Sequence, residues 1–387
     1  MKKILCLTLA AMLLLALVPA ASAEVLTGLT ASEIVAQMGI GWNLGNTFDA
    51  YHGNARDVYS QEQSWGNPKV DEAMIKRVKE AGFKTIRIPV TWFKQLSKDG
   101  TYTINEAFLN RVKEVVDMAY NEGLFIILNM HHEEWLNSKN LDKDQEKIGK
   151  QLVAIWRQIA DTFADYDQHL IFEGMNEPRK AGTAAEWNGD DTGRAAVNYL
   201  NQLFVNTVRT DAKGYNAERA LMIPTYAASN AAINMYALKI PEWNGAQAEN
   251  IIVSVHSYSP YDFCLSDKKT TFNLDSQSDK KSINDVFINV KGHFLDKGIP
   301  VVIGETGATN TNNNVVDRGN WAYYMARRAA FYGVPICIWD NGARGSSGGE
   351  CHSWLNRRAT EKNLFPEVLD RLFEGAASYE WGEGMKR

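Results

Sequence analysis

The chain has 387 residues, of which 45% are hydrophobic, 22% are charged and only 10 are proline. This composition excludes a disordered, collagen-like or coiled-coil chain as the main state, and the length suits one large α/β barrel or two to three smaller domains. The formal net charge is −5 and no basic block follows the pattern of a phosphate-binding surface, so nucleic acid is not an expected partner.

Residues 1–23 are predicted to be a secretory signal that is removed from the fold. Lys2 and Lys3 precede an apolar run at 4–18, which is followed by the small tripeptide Ala-Ser-Ala. The run is shorter than the roughly 20 residues of a membrane-spanning helix, which disfavours the alternative of an N-terminal anchor. We therefore expect residues 24–387 to form one exported domain, extracellular or periplasmic, with no membrane segment left after signal removal.

Short β-rich apolar runs then alternate with amphipathic stretches, a pattern typical of βα units around a parallel sheet. The predicted strands are 38–44, 85–90, 124–130, 170–175, 220–224, 251–256, 300–304 and 334–339. The predicted helices are 71–80, 106–121, 144–163, 194–209, 283–297, 318–331 and 366–373. Eight such units predict an α/β fold, a single-domain (β/α)8 TIM barrel. A doubly wound open sheet is the alternative, but no glycine-rich fingerprint follows the first strand.

Polar side chains stand on these strands or just after them, mostly at the carboxyl ends, where a barrel places its active site. They are Arg87 on the second strand, His131 and His132 after the third, Asn176 and Glu177 after the fourth, His256 and Tyr258 at the sixth, Glu305 after the seventh and Trp339 on the eighth. Glu177 and Glu305 supply the two carboxylates that glycosidic cleavage requires, one as a protonated acid and one as an anion. For either glutamate alone, an ion pair or a loop hydrogen bond is an equally simple explanation. The residues themselves leave open which glutamate is the acid.

The motifs around these residues carry a specific resemblance. They are Met175-Asn176-Glu177-Pro178, Ile303-Gly304-Glu305-Thr306-Gly307, Thr85-Ile86-Arg87-Ile88-Pro89, Asn129-Met130-His131-His132, Val255-His256-Ser257-Tyr258 and Ile338-Trp339-Asp340-Asn341. Together they resemble the endoglucanases of glycoside hydrolase family 5. The segments Gly41-Trp42-Asn43-Leu44-Gly45-Asn46-Thr47 and Trp65-Gly66-Asn67-Pro68, with the tandem histidine, resemble the broad-specificity subfamily 4.

The resemblance implies a retaining mechanism in which Glu177 is the acid/base and Glu305 is the nucleophile. It also implies that Asn176 bonds the 2-hydroxyl of the sugar, and that His131 and His132 line the subsite of the attacked sugar.

The remaining residues suit supporting roles. Arg87 and Tyr258 can donate hydrogen bonds that keep Glu305 ionised, since donors to the charged form favour it. His256 is expected near Glu177 or the leaving group, and Trp339 offers an apolar face to the sugar. The alternatives are a barrel-floor ion pair for Arg87 and simple core packing for Trp339.

A zinc site is the alternative from another class of chemistry. Its conceivable ligands are His131, His132, Glu133, Glu134 and His256. Adjacent residues on a strand point to opposite faces, and neither a helical H-E-x-x-H motif nor a useful cysteine pair is present. We therefore expect no metal and no other cofactor. The three cysteines outside the predicted signal, Cys264, Cys337 and Cys351, allow at most one disulfide, and Cys337 is expected to be a small buried hydrophobe.

Aromatic residues complete the prediction. Tryptophans in predicted loops of the catalytic side are Trp65, Trp92, Trp135, Trp187 and Trp354, each of which either stacks on a sugar or packs under its loop. We predict a secreted, monomeric endo-β-1,4-glucanase whose partner is a β-1,4-linked polysaccharide. Xyloglucan, mixed-linkage β-glucan, xylan and mannan are alternative substrates, and a glycan-binding barrel without turnover is the non-enzymatic alternative.

Overall fold

The computed structural model describes residues 25–52, 58–266, 268–347, 350–358 and 364–386. Its barrel strands are β1 (Ile40–Leu44), β2 (Thr85–Ile88), β3 (Phe125–Asn129), β4 (Leu170–Glu173), β5 (Leu221–Ser229), β6 (Ile251–His256), β7 (Val301–Thr306) and β8 (Ile336–Asp340). Consecutive strands pair in parallel, and β1 pairs with β8 to close the barrel. The predicted (β/α)8 barrel is confirmed, and each predicted strand coincides with one strand of the barrel.

The helices surround this barrel. In the described ranges they are α1 (Ala31–Met38), α2 (Val58–Glu62), α3 (Glu72–Glu80), α4 (Glu106–Asn121), α5 (Gln145–Thr162), α6 (Asp191–Arg209), α7 (Ala232–Ala237), α8 (Tyr261–Cys264), α9 (Gln277–His293), α10 (Val315–Tyr332) and α11 (Pro366–Ala376). The predicted helices correspond to α3, α4, α5, α6, α9, α10 and α11. The helices that were not predicted have eight residues or fewer, too few for a clear helical period. A small antiparallel ribbon, Glu242–Trp243 with Ala246–Gln247, follows α7.

The barrel interior is built in layers, because alternate residues of a strand face the same side. One buried layer is apolar and consists of Ile127, Ile171, Met222, Ile252, Val302 and Cys337. Two residues further along the same strands, the interior-facing residues include Asn129, Glu173 and Ser254, all without exposed surface. The interior therefore changes from apolar to polar toward the carboxyl ends of the strands, where the predicted site lies.

Helix α1 closes the other end of the barrel. Its Ile34, Val35 and Met38 pack against the apolar interior layer. Thr30 is the N-cap: its side chain accepts from the backbone of Glu33, and the Glu33 carboxylate accepts from the backbone of Thr30. This reciprocal pair is a capping box, which satisfies two backbone donors at the helix start.

Strand β5 is longer than predicted. The prediction ended at residue 224, but the strand continues to Ser229 after a register shift against β6. Ala227 and Ala228 have φ angles of 53° and 47°, in the left-handed region that non-glycine residues rarely adopt. The bulge brings this part of the chain over the loop that follows β4.

In the described ranges, no helix has both the length and the apolar character needed to cross a membrane. The predicted signal at 1–23 lies outside those ranges. Cys264, Cys337 and Cys351 are all buried and free, so the one disulfide that the sequence allows is not formed among them, and Cys337 has the predicted core position.

Candidate active site

The nine predicted site residues form one connected cluster at the carboxyl ends of the barrel strands. The register of β6 and β7 places His256, at the end of β6, directly opposite Glu305, near the end of β7. The backbone N–H of Ser257 donates to the Glu305 carbonyl at 2.9 Å, which extends this pairing beyond β6. Parallel strands thus hold side chains from distant parts of the sequence in fixed relation.

Glu305 is surrounded by hydrogen-bond donors. Its Oε1 accepts from Arg87 Nη1 at 2.7 Å, and its Oε2 accepts from the Tyr258 hydroxyl at 3.1 Å. Burial, and then the charge of Glu305, raise the pKa of Tyr258 well above its ordinary value, so the phenol keeps its proton and remains a donor. These contacts stabilise the carboxylate form of Glu305.

Glu177 follows β4 and is paired with a histidine. Its Oε1 lies 2.9 Å from Nδ1 of His256, and its Oε2 lies 3.5 Å from Nη1 of Arg179. The same His256 nitrogen is 3.6 Å from Oε2 of Glu305. His256 therefore stands between the two carboxylates.

This pairing determines where the proton resides in the free protein. Burial alone would raise the pKa of Glu177, but the hydrogen bond and charge of His256, with the charge of Arg179, lower it below its ordinary value. Burial would lower the pKa of His256, but the charges of Glu305 and Glu177 raise it above its ordinary value. The two shifts favour the imidazole over the carboxylate as the place of the shared proton, one hydrogen bond away from Glu177.

The bulge of β5 holds the loop that carries Glu177. The backbone N–H of Ala227 donates to the Pro178 carbonyl at 2.9 Å, directly after Glu177. The buried Tyr226 hydroxyl accepts from the backbone N–H of Lys180 at 2.8 Å. The segment of β5 with left-handed backbone thus fixes the backbone that follows Glu177, at Pro178 and Lys180.

Arg87 uses every nitrogen of its guanidinium. Nη1 donates to Glu305 and also to Asn43 Oδ1, at 2.9 Å. Nη2 donates to Asn176 Oδ1 at 2.7 Å. Nε donates to Glu173 Oε2 at 2.6 Å. Burial would lower the pKa of Arg87, but Glu173 and Glu305 together raise it, so the cation persists at all working pH values. The barrel ion pair and the bond to Glu305 were predicted as alternatives, and the structure contains both.

His131 and His132 lie beyond the end of β3 and not on it. Their rings are 4.3 Å apart and nearly perpendicular, so the expectation that adjacent residues point to opposite faces is wrong here, because strand pairing ends before them. His131 Nε2 is 3.9 Å from Glu305 Oε1, and its ring stacks parallel to Trp339 at 5.8 Å. Burial, helped by the neighbouring His132 and Arg87, lowers the pKa of His131 well below its ordinary value and keeps the ring neutral.

Two groups of ligand-type side chains in the described ranges have atoms within 4.8 Å of one another, namely Asp49 with His131 and His132, and Glu177 with His256 and Glu305. In the first group, the two oxygens of Asp49 accept backbone N–H groups of its own turn, at 3.0 and 2.7 Å. In the second, Glu177 and His256 are joined by a hydrogen bond of 2.9 Å. Members of both groups thus already take part in hydrogen bonds, and the expectation that no metal is needed stays a prediction.

The predicted loop tryptophans fall into two classes. Trp92 and Trp354 have no exposed surface and pack in the core, so for these two the sugar-stacking alternative is wrong. Trp135 is half-buried, and its indole N–H donates to the buried Glu133. A tryptophan in a loop thus need not reach the surface.

Trp65 and Trp187 are the exposed members, at 41% and 55% exposure. The Trp65 ring lies 5.8 Å from the His132 ring. The Trp187 ring lies 4.3 Å from the guanidinium of Arg179, which contacts Glu177. One flat apolar surface therefore lies next to the histidines and another next to the Glu177 loop.

The sequence analysis missed three buried polar residues that support the cluster: Asn43, Glu173 and Ser254. Ser254 Oγ donates to Glu173 Oε1 at 2.7 Å. A signal for Glu173 was available, since it is the charged residue inside the apolar fourth strand and a buried charge requires a partner. No such signal marks Asn43 or Ser254, because small polar residues are common at strand ends.

Comparisons with known proteins agree with this geometry. The family model for cellulase (glycosyl hydrolase family 5) matches residues 47–345. Endoglucanase B of Neocallimastix patriciarum is 42% identical over 359 residues, which cover 91% of this chain and 73% of that protein. The GH5-4 broad-specificity endoglucanase of Ruminococcus champanellensis, solved with bound cellotriose, has a TM-score of 0.83 and 40% identity, covering 89% of this chain and 99% of that chain. A GH5 xyloglucan-specific endo-β-1,4-glucanase from a metagenomic library, in complex with cellotriose, has a TM-score of 0.80 and 39% identity, covering 88% of this chain and 97% of that chain.

Proposed function

The chain belongs to glycoside hydrolase family 5 and is an endoglucanase of that family, and we propose that it cleaves internal β-1,4 bonds of cellulose-type polysaccharides by a retaining double displacement. The spacing of the two carboxylates carries this proposal, since an oxygen of Glu177 and an oxygen of Glu305 lie within 4.8 Å of each other. Retaining enzymes hold their carboxyl groups about 5–5.5 Å apart, whereas inverting enzymes need roughly 6.5–9.5 Å to admit a water molecule. The spacing favours direct attack by one carboxylate on the sugar.

Glu305 is the nucleophile in this proposal. Arg87 and Tyr258 donate to its two oxygens, so it is available as an aligned anion. Attack on the anomeric carbon forms a glycosyl-enzyme ester while the glycosidic oxygen leaves. Water then cleaves the ester and regenerates the carboxylate.

Glu177 is the acid/base, and His256 supplies its proton. The leaving oxygen must be protonated as the bond breaks, yet in the free protein the raised pKa of His256 and the lowered pKa of Glu177 favour the imidazole as the place of the proton. Transfer along the 2.9 Å hydrogen bond converts Glu177 into the acid. In the second step Glu177 is an anion again and takes a proton from the attacking water.

The surrounding residues present the sugar to this pair. Asn176 accepts from Arg87 through Oδ1, which directs its amide nitrogen as a donor toward a ligand such as the 2-hydroxyl. A bond to that hydroxyl strengthens as the ring approaches the oxocarbenium ion. Trp339 is buried, with 7% exposed surface, and stacks with the neutral His131, which lies 3.9 Å from Glu305, so its ring can pack against the attacked sugar.

The configuration of the first product tests this mechanism. Cleavage of cellopentaose should release the β-anomer first, as followed by proton NMR within the first minutes, before mutarotation. The Glu305→Gln variant is the control and should release no product. Early appearance of the α-anomer would contradict the retaining proposal.

The preferred polymer is a separate question. The R. champanellensis relative is described as broad in specificity and another as specific for xyloglucan, so xyloglucan is the second candidate substrate. Initial rates on carboxymethylcellulose, xyloglucan, barley β-glucan, xylan and glucomannan, measured with one enzyme preparation, should be highest on carboxymethylcellulose and barley β-glucan, whose glucan backbones carry no sugar side chains. A rate on xyloglucan at least tenfold above all others would make xyloglucan the substrate.

We also propose that the protein is exported and acts as a monomer. Lys2, Lys3 and the apolar run at 4–18 support export. N-terminal sequencing of the protein recovered outside the producing cell should begin near Glu24, and its mass in solution should be that of one chain. Recovery of the intact N-terminus from the cytoplasm would contradict export.

A further inference from the structure

Glu173 is a buried carboxylate beneath the catalytic pair that the mechanism above does not use. It is the last residue of β4, and neither its side chain nor that of Arg87 has exposed surface. Its Oε2 accepts from Arg87 Nε at 2.6 Å, and its Oε1 accepts from the Ser254 hydroxyl at 2.7 Å. A carboxylate in such a place is costly to bury, and both of its oxygens are satisfied.

The arrangement has one cation between two anions. Arg87 donates through Nε to Glu173 and through Nη1 to Glu305, while Nη2 holds Asn176. Because a guanidinium is planar and rigid, fixing Nε also fixes the direction of the other two nitrogens. The bond to Glu173 therefore sets the direction in which Arg87 meets the nucleophile and the residue that faces the 2-hydroxyl.

We propose that Glu173 is a positioning residue for the reaction: it orients Arg87 and shares its charge, so that Glu305 is aligned without being fully neutralised. This inference rests on the proposed function of Glu305 as the nucleophile. If Arg87 had no second anion, its whole charge would act on Glu305. The carboxylate would then be a weaker nucleophile and would remain ionised at lower pH.

Several groups face Glu305 and contribute to its environment. The titratable and charged ones are Arg87 from β2, His131 after β3, Glu177 after β4, His256 from β6 and Tyr258 after β6, with Glu173 behind Arg87. Replacing Glu173 by Gln removes one of these charges and none of the other groups. A shift of the acid limb in such a variant therefore reports the charge of Glu173.

The test compares Glu173→Gln, Glu173→Asp and wild type through the pH profile of kcat/KM on 4-nitrophenyl β-cellobioside. Glu173→Gln keeps the size and removes the charge, so kcat/KM should fall on the order of 10- to 100-fold, as expected for a misaligned nucleophile. Its acid limb should move to lower pH, because Arg87 then acts on Glu305 alone. Glu173→Asp keeps the charge but shortens the reach, so its rate should fall while its acid limb stays in place.

The matched control is Glu62→Gln, the same change in another buried carboxylate that pairs with an arginine. Glu62 accepts from Arg111 at 2.9 and 3.0 Å, and both side chains are buried. This variant should lose thermal stability while its pH profile matches that of wild type. The control thus separates the loss of a buried ion pair from the loss of alignment at Glu305.

The outcomes are distinct. If Glu173→Gln folds and retains both the rate and the acid limb of wild type, Glu173 is structural only and the inference is wrong. If Glu173→Gln does not fold, Glu173→Asp decides, because an unchanged kcat/KM in that variant would equally overturn the inference. Wild-type protein without turnover on any β-glucan would instead contradict the proposed function.

Discussion

At the scale of single residues, Glu177 and Glu305 carry the same functional group in different surroundings. Glu305 receives hydrogen bonds from an arginine and a phenol that both keep their protons. Glu177 faces an imidazole that can pass it a proton. Two carboxylates with such different partners suit the separate tasks of nucleophile and acid/base.

Replacement of each glutamate should therefore have different consequences. Glu305→Ala should abolish turnover on every substrate, because the covalent intermediate is not formed. Glu177→Ala should still release an activated phenol, which leaves without protonation, in a burst that stalls until azide is added as an alternative nucleophile. The measurement is the time course of phenol release from 2,4-dinitrophenyl cellobioside. Equal loss in both variants would overturn the assigned roles.

The alkaline limb of the kcat/KM profile should belong to the Glu177–His256 pair. The pKa of His256 is raised from its ordinary value of 6.5, so the proton is present below that raised pKa and is lost as the pH rises through it. The wild-type limb should accordingly lie above pH 6.5. His256→Gln leaves the proton to Glu177 alone and removes the hydrogen bond and charge that lower the pKa of that buried carboxyl, so the limb should leave its wild-type position.

His293→Gln is the control for this pH profile. His293 lies on α9, where its ring nitrogen Nδ1 contacts the Asn289 carbonyl at 2.9 Å. Its replacement should leave both limbs where they are in wild type. An alkaline limb that stays unmoved in His256→Gln would assign it to another group.

At the scale of elements, the barrel strands were predictable and their ends were less so. Buried parallel strands appear as continuous apolar runs, which makes them easy to locate in the sequence. The local sequence pattern does not predict the extension of β5 to Ser229, because the left-handed Ala227 is held by a hydrogen bond to Pro178 in the loop after β4. Tertiary contacts override local preference there.

The residues of the candidate site were likewise predictable only in part. The residues at strand ends were predictable, since barrel topology brings those ends together and the motifs resemble a known family. The buried polar layer below them could not be predicted, because the role of Glu173 depends on a contact with Arg87, which is 86 residues away in the sequence. The sequence also did not predict which loop tryptophans are exposed: Trp92 is buried and Trp187 is exposed.

Helix α1 allows a prediction about the closed end of the barrel. Thr30→Ala removes the side-chain half of the capping box and should lower the free energy of unfolding by about 1 kcal/mol. Urea denaturation followed by fluorescence measures this loss. The value of kcat/KM should not change, because α1 packs against the apolar layer and the reacting groups lie at the other end. A loss of activity without a loss of stability would mean that the two ends of the barrel are coupled.

At the scale of the whole molecule, the barrel has a chemical gradient along its axis. Helix α1 and the apolar layer close one end, the buried polar layer with Arg87 and Glu173 follows, and the proposed catalytic pair, Glu177 and Glu305, lies at the other end. Exposed aromatic rings stand beside the histidines and beside the loop of Glu177. The rigid part of the molecule thus holds the reacting groups, while the loops provide contacts on more than one side of them.

Rings on different sides of the catalytic pair suit a polymer that continues past the cleaved bond in both directions. Contacts with remote sugars then help to position the reacting bond, so binding energy from several subsites raises the rate of chemistry as well as the affinity. Cellotetraose and longer chains should be cleaved much faster than cellobiose. Carboxymethylcellulose should lose viscosity well before many reducing ends appear, and glucose accumulating from the first minutes with viscosity falling in proportion would mean cleavage from chain ends.

The two exposed tryptophans should carry part of this dependence on chain length. Trp65→Ala and Trp187→Ala each remove an aromatic face while leaving the buried layers intact, so the rate on cellotetraose should fall more than the rate on carboxymethylcellulose, whose longer chains retain other contacts. Melting temperatures should stay close to wild type because neither ring belongs to the hydrophobic core. Tyr236→Ala, which removes an 83% exposed ring from α7, is the matched control and should change neither rate. If both tryptophan variants hydrolyse cellotetraose at the wild-type rate, the sugar contacts lie elsewhere, and the half-buried Trp135 becomes the next ring to replace.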